Sequence, residues 1–187
     1  IDNVELVLLS ASEIPFELQA GRIHLGVTGT DLIREKLANW DQQVEEMAEL
    51  GFGHADLIIA VPALWVDVET LHDLDGAAAQ FRKDHGFRLR VATKYHRLVR
   101  DFLRENGVAD YALVDSQGAT EGTVKNETAE AVADITSTGE TLRANHLKLL
   151  ADGLILRSQA TLFRSRNVPM DDTDRQTITD LRAVLSL

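Results

Sequence analysis

The sequence predicts an α/β fold, in two lobes with mainly parallel sheets. Three observations carry that expectation. Short apolar runs rich in Val, Ile and Leu alternate with amphipathic stretches along nearly the whole chain, the pattern of strands joined by right-handed helical crossovers. Gly and Pro stand at the ends of these runs, where they stop helices and strands. A faint internal echo, "GVTGTDLI" at 26–33 and "TSTGETLR" at 136–143, twice sets a Thr-Gly pair and an acid between a strand end and a helix start. Two α/β units, each aiming a glycine loop at a shared cleft, would produce it.

Residues 4–10, "VELVLLS", read as a buried strand. A helix follows in "SEIPFELQAG", with Ser12 able to cap, Pro15 suited to the first turn and Gly21 as the stop. "IHLGVTG" is a second strand ending at Gly29, and Asp31 opens the helix "DLIREKLAN" with Leu32, Ile33 and Leu37 on its inner face. "EEMAELGFGHADLIIAVP" is mostly strand, in two pieces around a glycine pair, closed by Pro62. Next come a helix in "DVETLHDLDGAAAQFRKDHG", a strand in "FRLRVATKY", a helix in "HRLVRDFLRENG" ended by Gly107, and a strand in "ADYALVDSQG". "ETAEAVADITS" reads as a helix running into a strand and "TLRANHLKLL" as a helix. "DGLILRSQATLFRSR" reads as a long extended stretch and "DRQTITDLRAVLSL" as a final helix.

The 187 residues suffice for one large domain or two small ones with a real core. A net charge of −11 argues against a nucleic-acid or membrane-surface partner, since both need a positive field. No apolar run approaches the roughly 18 residues needed to span a membrane. The absence of cysteine excludes disulfides and thiolate metal sites and fits a cytoplasmic protein. The chain opens on Ile1 with strand-like sequence and no signal peptide, so its true amino terminus is expected to be missing.

The chemistry concentrates in "DITSTGETLRAN", residues 134–145. A phosphate at a strand-to-helix turn needs unpaired backbone N–H groups and the positive end of a helix dipole. Hydroxyl donors and a glycine that lets the backbone come close add to the grip, and Ser137, Thr138, Gly139 and Thr141 supply them. Asp134, just ahead, does not suit a phosphate but suits ribose hydroxyls. Acid, then Thr-Gly-x-Thr, reads as a grip for a ribose 5-phosphate. A plain N-capped helix after a strand accounts for the same residues, and the short pattern alone leaves both open.

Elsewhere, Lys94, Arg97, Arg100 and Arg104 fall on one face of a helix; a solvated face explains Arg100 and Arg104. The histidines form no His-x-x-x-His pair and have no thiol partner, so no zinc site is read. Trp40 and Trp65 read as packing or interface residues. No Gly-x-Ser-x-Gly and no Walker loop is present.

Four segments, in order from 13 to 145, give the pattern a specific likeness. "EIPFELQAGRIHLGVTGTD", "GFGHADLIIAVP", "VATKYHRLVRDFL" and "ADITSTGETLRAN" resemble the corresponding motifs of the ATP phosphoribosyltransferase family. The last is that family's phosphoribosyl diphosphate motif. The likeness departs at His96, where the family commonly has proline, and at His54 and Ala55, where cysteine is frequent. "GATEGTVKNETAE" is longer and more polar than the usual segment, and the family's amino-terminal Pro-Lys-Gly-Arg segment is absent.

The resemblance implies transfer of phosphoribosyl from phosphoribosyl diphosphate to N1 of ATP, with release of pyrophosphate, at the start of histidine biosynthesis. It implies a phosphoribosyl diphosphate site at Glu121, Asp134, Thr136, Ser137, Thr138, Gly139, Glu140 and Thr141. ATP would meet Thr28, Gly29, Asp31 and Lys94. Mg²⁺ would be carried by the diphosphate, no side chain serving as its dedicated ligand and none as general base. The implied fold is that of type II periplasmic binding proteins, with a cleft between lobe one (1–88 plus 156–187) and lobe two (89–155). With no regulatory domain after the final helix, the chain resembles the short form of the family. That form implies a homo-oligomer and a regulatory subunit resembling a histidyl-tRNA synthetase, with Trp40 and the terminal "AVLSL" as candidate anchors. Two other readings stay open: a non-enzymatic two-lobed solute-binding module, and a different phosphoribosyltransferase.

Overall fold

The computed structural model describes residues 4–116, 120 and 122–185. In chain order the elements are α1 (Ile14–Gln19), β1 (Leu25–Gly29), α2 (Thr30–Lys36), α3 (Trp40–Gln43), β2 (Val44–Glu49), β3 (Ala55–Pro62), α4 (Leu71–His85) and β4 (Leu89–Thr93). They continue with α5 (His96–Glu105), β5 (Tyr111–Asp115), α6 (Gly122–Lys125), β6 (Ala131–Thr136), α7 (Glu140–Ala144), β7 (Leu147–Ser158), β8 (Ala160–Ser165) and α8 (Asp172–Leu185). The chain forms two compact units: Ile1–Gly53 with Gln159–Leu187, and His54–Ser158.

The first unit holds a three-stranded sheet in the order β1-β8-β2, antiparallel throughout. Its core is Leu18, Ile33, Leu37, Val44 and Phe163, with Ile14, Ile23 and Trp40 packed against it. Arg34 lies over the Trp40 ring at 5.0 Å, so this tryptophan serves packing within its own unit. Residues 4–10 are irregular rather than a strand, and Leu6 and Leu8 are 83% and 88% exposed. An apolar run becomes a strand only where a neighbouring strand takes up its backbone groups, and the described residues offer this run none.

The second unit holds a five-stranded sheet in the order β5-β4-β6-β3-β7. β5, β4 and β6 run parallel, while β3 is antiparallel to both β6 and β7. The expectation of mainly parallel sheets therefore fails outside β5-β4-β6. Alternation sorts the side chains into two cores. Leu57, Ile59, Val61, Leu89, Val91, Ala131 and Ala133 meet α4 and α5 through Leu71, Leu74, Val99 and Leu103. On the other face Ile58, Ala60, Ala92 and Val132 meet Ala129, Leu142 and Leu147. The division between units also differs from the boundaries expected at 88 and 156. β3 hydrogen-bonds along its length to β6 and β7, and α4 packs on the same sheet, so residues 54–88 belong to the second unit.

Two helix expectations give way. The run 127–133 has good helix formers, but Ala131–Ala133 are buried on both faces of the sheet, and packing overrides propensity. α7 ends at Ala144, because His146 takes φ 56° and Leu147 starts β7 against Pro62.

Local signals hold where side chains complete the backbone. α4 starts with a capping box: Thr70 Oγ1 accepts from the Asp73 N–H at 3.3 Å, and Asp73 accepts from the Thr70 N–H at 2.9 Å. The Thr70 hydroxyl, then the Glu69 and Thr70 amides, hold the Asp73 carboxyl below the ordinary carboxylate range. A depressed carboxyl stabilises the fold above its unfolded-state pKa, and that contribution is lost as pH falls through the folded-state value. Asp73→Asn is therefore expected to lower the melting temperature at neutral pH. The gap to the parent protein should close on acidification below about pH 4, in thermal scans across pH. Thr70→Ala is expected to cost about 1 kcal/mol at neutral pH.

Candidate active site

β6 delivers a buried apolar triplet, Ala131–Ala133, and then turns polar. Asp134 pairs in register with Ile58 of β3, and Thr136 with Asp56. Residues two apart share a face, so Asp134 and Thr136 lie on the face of Val132 and Ile58, the face that Leu142 of α7 covers. A cavity of about 240 Å³ opens there, lined by Asp134, Ile135, Thr136, Ser137, Thr138, Thr141 and Leu142.

The turn is built from its own side chains. The Gly139 N–H donates to Thr136 Oγ1 at 2.9 Å, and the Glu140 N–H to Thr138 Oγ1 at 3.3 Å. Asp134 Oδ1 accepts from the Ile135 N–H at 2.9 Å. Gly139 sits at φ 71°, a left-handed conformation that glycine adopts without steric cost. A Cβ there would also come within 3.4 Å of the Arg143 guanidinium. That guanidinium donates to the Thr138 carbonyl at 3.0 Å and ties the turn to α7. α7 has five residues and adds little macrodipole, and the Gly139 and Glu140 amides, expected to be unpaired, are spent on hydroxyls of the turn, so a grip on an anion would rest chiefly on the hydroxyl groups.

The structure thus brings Asp134, Thr136, Ser137, Thr138 and Thr141 around one cavity. Gly139 is the buried pivot of the turn, and Glu140 is exposed and stands outside the cavity lining. Glu121 lies outside the described residues. Thr28, Gly29 and Asp31 form the β1–α2 turn of the first unit. Thr28 is 3% exposed, and its hydroxyl donates to the Ala11 carbonyl at 2.8 Å; Asp31 is buried in the first turn of α2. Lys94 belongs to the second unit, exposed at the carboxyl end of β4. Because β5, β4 and β6 are parallel, this end lies on the edge where β6 feeds the turn, and ligands of α/β sheets gather at carboxyl ends of strands. Sequence reasoning missed Arg143 and Leu142. Their signal was helical spacing: Leu142, three residues after Gly139, lines the cavity, and Arg143, four after it, clamps the turn.

Comparison with known proteins follows the same lines. The family described as "HisG: ATP phosphoribosyltransferase" matches residues 10–186. The ATP phosphoribosyltransferase of Cereibacter sphaeroides is 78% identical over 166 residues, which cover 89% of this chain and 70% of that protein. The one from Mesorhizobium japonicum is 54% identical over 167 residues, 89% of this chain and 72% of its own length. Among solved structures, the ATP phosphoribosyl transferase (HisG:HisZ) complex from Thermotoga maritima superposes with a TM-score of 0.71 at 19% identity, over 96% of this chain and 76% of that one. An ancestral arginine-binding protein bound to arginine reaches 0.59 at 13% identity, over 98% and 73%. These likenesses between structures establish the fold alone, that of type II periplasmic binding proteins. The sequence matches go further, and on them the chain belongs to the ATP phosphoribosyltransferase family.

Proposed function

We propose that the chain transfers the phosphoribosyl group of phosphoribosyl diphosphate to N1 of ATP, releasing pyrophosphate, and that the turn after β6 holds the ribose 5-phosphate. The observation that supports the turn's role is the cavity where the hydroxyls of Thr136, Ser137, Thr138 and Thr141 surround one volume with Asp134 at its strand end. In the reaction the bond from ribose C1 to the diphosphate oxygen breaks and the bond from N1 of adenine to C1 forms. C1 carries positive charge between these events. A carboxylate at the ribose stabilises that charge, and fixed hydroxyls and amides hold the 5-phosphate so that C1 stays in line.

In the first unit, the β1–α2 turn of Thr28, Gly29 and Asp31 is the proposed nucleotide contact. Thr28 already spends its hydroxyl proton on Ala11, so it meets the nucleotide through its backbone. In the second unit Lys94 is the proposed cation for substrate phosphates. Among the described residues no three His, Asp or Glu side chains converge to hold a metal ion. The proposed Mg²⁺ would come in on the diphosphate and take most of its oxygens from it and from water. Bound there, it would neutralise leaving-group charge. The proposed partners are further copies of the chain and a HisZ-like regulatory subunit, as in the Thermotoga maritima complex. The proposed location is the cytoplasm, the compartment of ATP and phosphoribosyl diphosphate.

The direct test mixes the protein, with and without a HisZ-like subunit, with ATP, phosphoribosyl diphosphate and Mg²⁺, and follows the product's ultraviolet absorbance. No product in either mixture would sink the proposal. Thr138→Ala is expected to weaken phosphoribosyl diphosphate binding about fivefold by calorimetry, the loss of one hydrogen bond of about 1 kcal/mol, with the melting temperature lowered by no more than about 2–4 °C through loss of the Glu140 amide bond. Asp134→Asn is expected to lower kcat roughly 10- to 100-fold while moving the melting temperature little. A fall in melting temperature matching the loss of turnover would mark Asp134 as structural instead.

A further inference from the structure

His96 and Asp115 form a pair that the proposed chemistry does not use. His96 is the first residue of α5, three past the end of β4, and Asp115 is the last residue of β5. His96 Nε2 lies 2.6 Å from Asp115 Oδ1. The histidine side chain is 32% exposed and the aspartate 82%, so the pair faces solvent rather than the core. The place is fixed. Thr93 stands in register with Asp115 on one side and with Ala133 on the other. The Ser116 N–H donates to the Thr93 carbonyl at 3.2 Å, tying the end of β5 to the end of β4. Ser116 and Thr120, both buried, share a 2.7 Å hydrogen bond behind it. β6 is the other neighbour of β4, and adjacent strands are about 4.8 Å apart. His96 therefore follows β4, the strand next to β6, and Asp115 ends β5, one strand farther out, so the pair and the hydroxyl turn share one edge of one sheet.

The chemistry follows from the two ring nitrogens. With Nε2 engaged by Asp115, Nδ1 is the atom left to meet a ligand, and among the described residues it has no hydrogen-bond partner. In the neutral ring Nε2–H donates to the carboxylate, and Nδ1 presents a lone pair that repels phosphate oxygens. In the imidazolium both nitrogens donate. Imidazole changes charge between about pH 5 and 8. The charged groups nearest in sequence on the elements meeting here are Lys94 before α5, Arg97 and Arg100 in its first half, and Asp134 on β6; Asp101, Arg104 and Glu105 lie farther along α5 and Arg90 near the start of β4.

We propose that His96 binds phosphoribosyl diphosphate as an imidazolium, donating from Nδ1 to the diphosphate, and that Asp115 is its positioning residue. Substrate affinity is then proton-linked, because Nδ1 can donate only from the protonated ring. The inference rests on the phosphoribosyl diphosphate reading of the turn after β6.

The test is calorimetric titration of the purified protein with phosphoribosyl diphosphate and Mg²⁺ at about pH 6 and about pH 8, either side of the imidazole range. His96→Asn is expected to weaken binding about tenfold at the lower pH and not at the higher. Taking the ratio to the parent protein cancels the ligand's own titration. His96→Lys, a fixed cation, should bind as tightly at the higher pH as the parent does at the lower. Asp115→Asn should lose part of the advantage at the lower pH alone, and it carries the test if His96→Asn fails to fold. Equal affinity of His96→Asn and parent at the lower pH, or equal weakening at both, overturns the proposal. Thr138→Ala separates the two readings. Weakened binding in Thr138→Ala with His96→Asn unaffected removes the role of His96 and keeps the turn. No binding by the parent at either pH removes the reading of the turn itself.

Discussion

Strand β3 is buried on both faces, and the site depends on its register. Leu57, Ile59 and Val61 enter one core of the second unit while Ile58 and Ala60 enter the other, all at 2% exposure or less. Each large aliphatic side chain so buried stabilises by about 1.5–3 kcal/mol. A slip of one residue would send every side chain to the opposite face. The bonds within the turn after β6 contribute about 1 kcal/mol each, too little to override that. Burial along β3 therefore decides that Ile58 faces Asp134, and through it that the carboxylate shares a face with Thr136 and the cover of Leu142. The position of a polar group is set by apolar ones.

Within the turn, the hydroxyls have two roles that do not compete. Thr136 Oγ1 and Thr138 Oγ1 accept from the amides of Gly139 and Glu140. A hydroxyl has one proton to give and two lone pairs, so accepting an amide leaves each O–H free to donate to a phosphate oxygen. The same bonds that shape the turn thus fix the orientation of its donors, and preorganisation of this kind is what makes such donors effective. The left-handed Gly139 makes the turn tight enough, and Arg143 holds the Thr138 carbonyl out of the way.

Most strands and long helices were legible in the sequence, because alternation, Thr70, Pro62, Gly21 and Gly107 act locally. The direction of strands was not. Nothing local says that β3 runs against β6, or that one extended stretch supplies β7 to one sheet and β8 to another with Gln159 alone between them. The unit boundary was misjudged for the same reason, since a boundary is a property of pairing and not of composition. Residues 4–10 show the converse: they are strand-like in sequence, yet irregular and exposed. At the site, the residues proposed to grip the phosphate were legible as a contiguous motif. Arg143 was not singled out, because its role lies in a contact with the Thr138 carbonyl rather than in the pattern. Asp115 was silent, because its partner His96 is 19 residues away.

A chain of net charge −11 that binds two polyanions has to do so without long-range attraction. Hydroxyls and amides suit this, since they bind oxygens by direction and carry no net charge to be offset by the acidic surface. In the proposed role Asp134 sharpens the problem, because a carboxylate beside a phosphorylated, diphosphorylated sugar is repelled in the ground state. It is not repelled at the transition state, where C1 has gained positive charge and the diphosphate has begun to carry its negative charge away. A group that is unfavourable before the step and favourable during it contributes to rate rather than to affinity. That difference would give the acid-before-turn arrangement its physical sense: in the proposed site the neutral donors hold the phosphate through the reaction, and the carboxylate acts on the part of the sugar whose charge changes.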